Sequence, residues 1–346
     1  MLRIAVTGAS GYMGAELLRL LTVHPKVRIS AVTSERLAGE RLDRVYPHLR
    51  GLSDLVFQEI HGERLADEAD VVFLALPHME SQRLMPTLRR HGKKAIDLSA
   101  DYRLKDATLY TTWYKAPHED ASGLAEAVYG LPEIHGYAVS RARLVGNPGC
   151  YPTCVILGLA PLVHNKLIQL DSIVADCKSG ASGAGRQTSL ATQYCEVNEG
   201  LRAYKVAEHR HNPEMDQELS RLAGEPVSIT FSPHLVPMSR GILGTLYARL
   251  VRPYTEMELL NFFQNFYDGQ PFIRLHPVGS LPNTGHVRGS NYCDLGVRVD
   301  APRSRVIVVS AIDNLARGAA SQAVHNFNLM SGFPETLGLE AVPFLP

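Results

Sequence analysis

The sequence lacks the features that would place it in a membrane or on a nucleic acid. None of its apolar runs approaches the roughly 20 residues that a membrane-spanning helix requires. Lysine plus arginine and aspartate plus glutamate each total 35 among the 346 residues, so the net charge is zero with histidine neutral. This balance gives no electrostatic reason to expect a nucleic-acid or membrane partner. The chain opens on an apolar strand rather than a charged leader, so we expect a cytoplasmic protein.

The sequence also has few cysteines, and they form no framework. Cys150, Cys154, Cys177, Cys195 and Cys293 are odd in number and scattered, which fits a reducing compartment rather than disulfide bonding. Cys150 and Cys154 would share a helix face, but a zinc site needs two further ligands at suitable spacing. The sequence shows none, so we expect no metal.

What the sequence does have is a strand, a glycine-rich turn and a helix at its start. Residues 3–7 are apolar, the turn reads Gly8-Ala9-Ser10-Gly11-Tyr12-Met13-Gly14, and residues 15–21 have helical spacing of apolar side chains. In that context glycines let the backbone approach a pyrophosphate, and the helix N-terminus supplies N–H donors. The sequence therefore predicts a dinucleotide site at this turn.

The end of the second predicted strand, 27–32, bears on which dinucleotide binds. An acidic residue at this point normally holds the ribose hydroxyls of NAD, whereas an arginine nearby holds the 2′-phosphate of NADP. This chain offers Ser34, Glu35 and Arg36. Because a guanidinium binds phosphate well and Glu35 can point to solvent, we favour NADP.

Two further predicted strands, 70–76 and 94–98, end in candidate binding residues. The first is nearly all apolar, which is typical of a central parallel strand covered on both faces. Ligands bind at the carboxyl ends of such strands in open α/β sheets. Pro77 and Ser99 are therefore candidates for cofactor contacts, and Arg103 is the residue there most able to hold a phosphate.

A second turn, Gly146-Asn147-Pro148-Gly149-Cys150-Tyr151-Pro152-Thr153, lies between a predicted strand at 143–146 and an apolar helix at 151–165. It would place Cys150 at a helix N-terminus. Unpaired N–H groups and the positive end of the helix dipole stabilise a thiolate there, and the thiolate is the nucleophilic form. The alternative is a buried structural cysteine. The cofactor motif favours the nucleophile.

Two histidines and an arginine in the second half could complete a catalytic site. His209 and His211 enter a predicted helix at 213–222, and one of them could exchange a proton with Cys150 or a developing alkoxide. In an extended backbone the two would point in opposite directions, so we expect only one to face the thiol, and either is open. Arg240, in a turn between two strands, could bind a substrate carboxylate.

The pattern of elements predicts an α/β chain of two domains. Segment 104–143 reads as irregular, whereas the second half alternates strands and helices that suggest a mixed, largely antiparallel sheet. An amphipathic helix at 314–331 would return to the first domain. We predict a dinucleotide-binding domain at 1–149 and 313–346, and a catalytic and dimerisation domain at 150–312.

Stretches in order along nearly the whole chain resemble those of the N-acetyl-gamma-glutamyl-phosphate reductases of arginine biosynthesis. That family is similar to aspartate-semialdehyde dehydrogenase and, more distantly, to glyceraldehyde-3-phosphate dehydrogenase. The resemblance implies a Rossmann-type NADP-binding domain and an α+β catalytic domain. The matching stretches are TGASGYMGAELLRLL at the start, LALPH at 74–78, DLSADYRL at 97–104, GNPGCYPT at 146–153, SGASGAGR at 179–186, HRHNPE at 209–214, PMSRGIL at 237–243 and AIDNLARGAA at 311–320.

The resemblance also implies a mechanism and a set of binding residues. Cys150 would attack the acyl phosphate of N-acetyl-glutamyl 5-phosphate, and NADPH would reduce the thioester to N-acetyl-glutamate 5-semialdehyde, with His209 or His211 as acid/base. The implied contacts are Arg103 for phosphate, Arg240 for the α-carboxylate, Asn147 and Glu214 for the substrate, and Gly8, Ser10, Gly11, Tyr12, Met13, Ser34, Arg36, Pro77, Ser99, Ser179, Gly180 and Asn314 for the cofactor.

Two alternatives remain beside this hypothesis, and a homodimer or homotetramer is expected with any of them. The first is a related reductase that acts on carrier-protein-linked aminoadipyl or glutamyl phosphate. The neutral charge and Asn147-Pro148 count against it. The second is a non-catalytic dinucleotide sensor, and Cys150, both histidines and Arg240 together argue against that.

Overall fold

The computed structural model describes residues 1–345 and divides into two compact units. Met1–Pro148 and Ala319–Glu340 form the first unit, and Gly149–Gly318 with the residues from Ala341 form the second. The chain passes from one unit to the other inside the predicted thiol turn. As boundaries of functional domains, 1–149 with 313–346 and 150–312 stay a prediction.

The first unit is built on a seven-stranded sheet in which every pair of neighbours is parallel. The strand order is β3-β2-β1-β4-β5-β7-β6. From β1 the chain adds β2 and β3 on one side, and it then returns to add β4 and the later strands on the other side. This is the doubly wound arrangement in which ligands bind at the carboxyl ends next to the reversal. The strands are β1 Leu2–Thr7, β2 Val27–Thr33, β3 Phe57–Gln58, β4 Val71–Leu74, β5 Lys94–Asp97, β6 Val128–Tyr129 and β7 Leu144–Gly146.

Seven helices connect these strands. They are α1 Tyr12–Thr22, α2 Leu42–Val45, α3 Gly62–Glu68, α4 Ser81–Arg90, α5 Ala107–Tyr114, α6 Ala121–Glu126 and α7 Pro132–Arg141. The prediction that 104–143 is irregular was wrong, because this segment contains α5, α6, β6 and α7. Local capping explains the helices: Asp106 and Asp120 accept hydrogen bonds from the first turns of α5 and α6, and Pro132 opens α7.

The second unit has a mixed seven-stranded sheet of order β12-β13-β14-β11-β8-β10-β9. Its β8–β10 and β12–β13 pairs are parallel, and its other four pairs are antiparallel, which confirms the predicted mixed sheet. The strands are β8 Val174–Ser179, β9 Arg202–Ala203, β10 Thr230–Leu235, β11 Ile242–Arg249, β12 Ile273–Leu275, β13 Cys293–Asp300 and β14 Arg305–Ile312.

A long buried helix, α8, forms the core of this second unit. The helices of the unit are α8 Cys150–His164, α9 Tyr194–Val197, α10 Asn212–Ala223 and α11 Glu256–Phe266. Residues 151–163 of α8 are all buried, and α8 packs against α10, β11 and β14. Gly158 allows this packing, since a Cβ there would lie 2.4 Å from Leu246 Cδ1 on β11. The helix that carries Cys150 is therefore rigidly held.

The predicted helix at 314–331 is not one continuous α-helix in the structure. A π-helical turn spans Ala316–Ala320, and the α-helix proper, α12, spans Ser321–Ser331. Such π-turns widen a helix locally and are frequent at functional sites. α12 packs on α1 and α7 within the first unit.

Within residues 1–345, no helix is long and apolar enough to cross a bilayer, and no three His, Cys, Asp or Glu side chains are grouped to hold a metal ion. None of the five cysteines forms a disulfide bond within this part of the chain; Cys150 is half-buried and Cys195 is exposed.

Candidate active site

The glycine-rich turn of the first unit leaves room for backbone and ligand only because its glycines lack a Cβ. Gly8 has φ +61°, and a Cβ there would lie 2.2 Å from the carbonyl oxygen of Ala75. A Cβ at Gly14 would lie 2.5 Å from Cα of Ala9. These two glycines let β1, the turn and the end of β4 close on one another.

The third glycine faces open space. Gly11 is the N-cap of α1 without a side-chain cap, and only Gly8 O lies within 4 Å of where its Cβ would be. The N–H groups of Tyr12 and Met13 lie in the first turn of α1, where backbone donors have no partner inside the helix. An open glycine beside unpaired N–H groups fits the pyrophosphate of a dinucleotide.

The loop after β2 favours NADP over NAD. Ser34 is buried, and its Oγ lies 2.8 Å from Oγ of Ser10, which joins this loop to the glycine-rich turn. Glu35 accepts a hydrogen bond from the backbone N–H of Ile60, so its carboxylate is engaged by the protein. Arg36 is exposed. The acidic residue is thus occupied, and the guanidinium beside it can meet a 2′-phosphate.

The carboxyl ends of β4 and β5 lie at the same edge of this sheet. Pro77 is exposed there, whereas Ser99 is buried and donates its hydroxyl to Asp97 Oδ2 at 2.8 Å. Burial, reinforced by the nearby Asp101 carboxylate, raises the pKa of Asp97 to about 7. Ser99 therefore serves first to hold a buried carboxyl group, and its contact with a cofactor stays a prediction.

The sequence reasoning gave no role to Asp101, although it lies in the DLSADYRL stretch. Its buried carboxylate accepts hydrogen bonds from the N–H of Met79 at 2.9 Å, the N–H of Gln82 at 3.2 Å and the hydroxyl of Tyr110 at 2.7 Å. Met79 has φ +76°, which is strained for a residue with a side chain. Asp101 thus fixes the loop after β4.

Arg103 and Asn147 are buried in the first unit, and each makes several polar contacts there. Arg103 donates from Nε to Asn147 O at 2.7 Å and from Nη2 to Leu98 O at 2.8 Å. The Asn147 amide donates to Ala319 O and accepts from Asn326 Nδ2. These contacts hold the turn before Cys150, and the predicted contacts of both residues with substrate stay predictions.

In the second unit, Cys150 is the first residue of α8 and is half-buried. The residue before it, Gly149, donates its N–H to Glu214 Oε1 at 2.8 Å, so a buried carboxylate on α10 holds the turn. A Cβ at Gly318 would lie 2.7 Å from Cβ of Cys150, which places the π-helical segment directly against the thiol residue. Glu214 therefore positions the turn that carries Cys150.

His211 is the histidine that lies against this turn. A Cβ at Gly149 would lie 2.5 Å from His211 Nε2, so the imidazole edge contacts the residue that precedes Cys150. The expectation that His209 and His211 point in opposite directions was wrong. His211 has φ −82° and ψ −11°, which is helical rather than extended, and the two ring centroids are 4.8 Å apart.

His209 is held behind His211 as a neutral ring. Its Nδ1 accepts a hydrogen bond from the backbone N–H of His211 at 3.1 Å. Burial, together with the positive charges of Lys205 and Arg210, lowers the pKa of His209 to about 4. At neutral pH His209 is thus uncharged and acts as an acceptor for the loop that carries His211.

Aromatic rings surround His209 and leave its side chain half-buried. The rings of Tyr151, Tyr204 and Phe231 make edge contacts with it at centroid distances of 5.5, 5.6 and 5.5 Å. The hydroxyls of Tyr151 and Tyr204 lie 3.0 Å apart, and burial raises the pKa of Tyr204 to about 12. No sequence signal identified these tyrosines, because they come from separate elements.

Arg240 is oriented by a buried aspartate. Its Nε lies 3.2 Å from Asp313 Oδ2, and Asp313 also accepts hydrogen bonds from the backbone N–H groups of Gly289, Leu315 and Ala316. The Asp313 side chain is fully buried, whereas that of Arg240 is 18% exposed. The ion pair fixes the orientation of the Arg240 guanidinium, which suits recognition of a carboxylate.

The loop after β8 is closely packed where it begins, at Ser179 and Gly180. A Cβ at Gly180 would meet backbone atoms at 2.8–2.9 Å, and Ser179 donates its hydroxyl to Gly180 O. Asn314 accepts from the N–H of Gly241 at 2.7 Å and donates to Ser182 Oγ at 2.9 Å. Asn314 therefore fastens this loop to β11, and cofactor contacts by these residues stay predictions.

Comparisons with known proteins agree with this arrangement. Residues 3–142 match the semialdehyde dehydrogenase NAD binding domain, and residues 150–314 match the semialdehyde dehydrogenase dimerisation domain. The N-acetyl-gamma-glutamyl-phosphate reductases of Geobacter metallireducens and Syntrophobacter fumaroxidans are each 54% identical to the chain. Each match covers 100% of this chain and 100% of the relative.

Solved structures share the fold at much lower identity. Aspartate semialdehyde dehydrogenase II of Vibrio cholerae, complexed with ASA, superposes with a TM-score of 0.74 at 16% identity, over 96% of this chain and 98% of that one. The enzyme of Candida albicans, solved with NADP, has a TM-score of 0.70 at 17% identity, over 96% and 98%. These likenesses confirm the α/β fold, and the full-length identities above show the family. The chain belongs to the N-acetyl-gamma-glutamyl-phosphate reductases, a family of enzymes built from the two semialdehyde dehydrogenase domains.

Proposed function

We propose that this enzyme reduces N-acetyl-glutamyl 5-phosphate to N-acetyl-glutamate 5-semialdehyde with NADPH and releases phosphate, as a step of arginine biosynthesis. The names of its relatives supply the substrate. One observation carries the chemistry: Cys150 begins α8, and the His211 imidazole lies against the residue before it. A thiol, a helix N-terminus and an imidazole together make an activated nucleophile.

Cys150 acts first. The thiolate, stabilised by the N-terminus of α8, attacks the acyl carbon. An Sγ–C bond forms, and the bond between that carbon and the phosphate oxygen breaks, so that phosphate leaves with the electron pair. The product is a thioester on Cys150. A thiol suits this role because a thioester accepts hydride more readily than a carboxylate.

His211 transfers the proton, and His209 positions His211. The contact with Gly149 puts His211 Nε2 beside the reacting turn, where it can take the thiol proton and later donate to an oxyanion. His209, uncharged because of its low pKa, accepts the His211 backbone N–H and so fixes the loop. Of the two predicted catalytic histidines, we assign the acid/base role to His211.

The arginines recognise the ends of the substrate. Arg240, anchored on Asp313, is assigned to the α-carboxylate. Arg103 is assigned to the phosphate, and it also braces the turn through Asn147 O. Glu214 and Asn147 hold the turn itself, one by the Gly149 N–H and the other by its own amide contacts.

The glycine-rich turn binds the cofactor. NADPH, when bound, supplies the hydride that reduces the acyl carbon of the thioester to an aldehyde. Gly11 and the first N–H groups of α1 are assigned to its pyrophosphate, and Ser34 and Arg36 to the 2′-phosphate. Glu35 does not compete for the ribose, since it accepts the Ile60 N–H.

The enzyme is proposed to work as a homodimer or homotetramer in the cytoplasm. The dimerisation domain matched by residues 150–314 supports self-association. In β11, Leu246 and Ala248 are buried beneath α8, whereas Leu243, Thr245 and Tyr247 alternate onto the other face and are half-buried. A partly apolar sheet face of this kind can pair with a second copy.

A direct assay tests the function. The purified chain is incubated with NADP, phosphate and either N-acetyl-glutamate 5-semialdehyde or aspartate semialdehyde, and NADPH formation is followed by absorbance. We expect phosphate-dependent activity that prefers the N-acetyl-glutamate substrate by at least about a hundredfold in kcat/KM, because a mismatched carboxylate and amide leave buried polar groups unpaired. Equal activity with both substrates, or none with either, contradicts the assignment.

A further inference from the structure

The glycine-rich turn is supported from behind by a tyrosine that no motif includes. Tyr46 ends the short helix α2, in the connection between β2 and β3. The connection is held in place where the Leu42 N–H donates to Leu55 O at 2.8 Å, and Leu42, Tyr46 and Leu49 are buried. The tyrosine therefore reaches the turn from a fixed position.

The Tyr46 hydroxyl contacts two carbonyl oxygens of the turn. It lies 3.1 Å from Ala9 O and 3.3 Å from Gly11 O. A phenol has one proton, so the two carbonyls share a single donor. Both carbonyl groups are therefore drawn toward the same point behind the turn.

Holding these carbonyls also aims two N–H groups. In a trans peptide the C=O and the following N–H lie in one plane and point in opposite directions. The partner of Ala9 C=O is the N–H of Ser10, and the partner of Gly11 C=O is the N–H of Tyr12. With both oxygens turned to Tyr46, both N–H groups turn away from it, in the orientation that an anion before α1 needs.

We propose that Tyr46 is a positioning residue of the cofactor site, which sets two peptide planes of the glycine-rich turn so that their N–H groups meet the pyrophosphate of the dinucleotide. This inference rests on the proposed use of NADP. Gly11 O also accepts the N–H of Ala15 at 2.9 Å, so the start of α1 helps to hold that plane, whereas without Tyr46 the Ala9–Ser10 peptide would rotate and present its carbonyl oxygen to the phosphates for part of the time. Tyr46 holds the peptide in the binding orientation before the cofactor arrives, so less binding free energy is lost in ordering it.

The test is Tyr46→Phe, which removes one oxygen and keeps the buried ring. The matched control is Tyr129→Phe, another buried tyrosine of the first unit, whose ring contacts His135. Dissociation constants are measured by calorimetry for NADP and for 2′-AMP, which carries the 2′-phosphate but no pyrophosphate. Circular dichroism and the rate of Cys150 alkylation without ligand check that each variant is folded.

We expect Tyr46→Phe to weaken NADP about three- to tenfold, the range of one hydrogen bond, and to leave 2′-AMP unchanged. In the assay the KM for NADPH should rise by the same factor while kcat at saturation stays within about twofold, since only binding is affected. Tyr129→Phe should change neither ligand.

Three results would overturn the inference: unchanged NADP affinity, equal loss of NADP and 2′-AMP, or a Tyr46→Phe chain that does not fold. The second would mean that Tyr46 supports the whole site rather than the peptide planes, and the third that its role is the fold itself. The proposed function fails separately, if the wild-type chain binds NADP but does not turn over the acyl phosphate. In that case the ligand-specific effect of Tyr46→Phe on binding would still hold.

Discussion

Two junctions of this molecule, β1–α1 and β7–α8, use the same local construction for different purposes. Each joins a parallel strand to a helix through a glycine-containing turn. In each, a glycine at the end of the strand lies where a Cβ would be 2.2 Å from a neighbouring carbonyl oxygen: Gly8, just after β1, against Ala75 O, and Gly146, the last residue of β7, against Tyr102 O. The strands are therefore packed alike, and the difference lies in what the helix N-terminus faces.

At the first junction the helix begins with N–H groups beside an open glycine, Gly11. At the second it begins with a cysteine, and the space before it is filled by the His211 imidazole at Gly149. A helix N-terminus stabilises an anion in both cases. In the proposed function, the anion at the first junction is a ligand, and the anion at the second is the protein's own thiolate. The predictions below separate the two uses.

The largest effect is expected from removing the thiol. Cys150→Ser should lower the turnover of acyl phosphate by at least about 10⁴-fold, because an alkoxide is not formed at neutral pH and the covalent intermediate is lost. NADP binding should stay within about twofold, since that site belongs to the other junction. Calorimetry and a single-turnover assay measure the two quantities.

The same change one helical turn later is the control for this prediction. Cys154 is fully buried, and its Sγ lies 3.3 Å from Ser310 Oγ. Burial raises the pKa of Cys154 to about 12, so its thiol is not a nucleophile at neutral pH. Cys154→Ser should keep most activity. A Cys150→Ser enzyme that still forms semialdehyde would refute covalent catalysis.

The next effect concerns the two histidines. His211→Asn should lower kcat by about 10²–10⁴-fold and flatten the pH–rate profile, because a general acid/base contributes this much. His209→Asn is the matched change on the adjacent ring, which is already neutral at the working pH. It should cost about tenfold and keep the shape of the profile, because it loosens the loop without removing the titrating group. The reverse ranking would exchange the two roles.

A smaller effect is expected at the cofactor turn. Gly8→Ala places a Cβ 2.2 Å from Ala75 O at φ +61°, so it should raise the KM for NADPH by at least about tenfold and lower the free energy of unfolding by about 1–3 kcal/mol. Gly11→Ala is the control, since the chain itself has space there. It should leave stability unchanged and weaken only NADP. If Gly11→Ala binds NADP normally, the pyrophosphate does not approach this glycine.

How much of this site could be predicted from the sequence depends on whether its parts are local. The turn around Gly8 and the helix that starts at Cys150 follow from short-range patterns, so both were found at nearly the right bounds. The irregular reading of 104–143 failed because its helices are short and are fixed by single capping residues such as Asp106. Short helices carry too few apolar repeats to give a periodic signal.

The supporting residues could not be predicted for a different reason. Asp101, Tyr46 and Asp313 act on residues far away in sequence or through the backbone, and their types are common in ordinary surface positions. Glu214 shows the same limit: the substrate role that the family resemblance implies for it stays a prediction, and nothing in the sequence indicated its hydrogen bond with the Gly149 N–H. Which histidine lies against Gly149 depends on the helical backbone at His211, which the residue types do not encode.

The smallest effect is on stability, and it concerns the half-buried imidazole of His209. The pKa of His209 is about 4 in the folded chain, against 6.5 when it is free. Between these values His209 binds a proton in the unfolded chain but not in the folded chain, so the stability that this residue contributes falls as the pH falls from about 6.5 to 4. The loss should be about 1–3 kcal/mol, measured by urea unfolding across this window. His209→Asn should remove that dependence, whereas the same change at the exposed His286 should not. If stability depends on pH in both variants as it does in the wild type, the rings of Tyr151, Tyr204 and Phe231 do not keep His209 uncharged. That result would contradict the role of His209 as a neutral positioning residue.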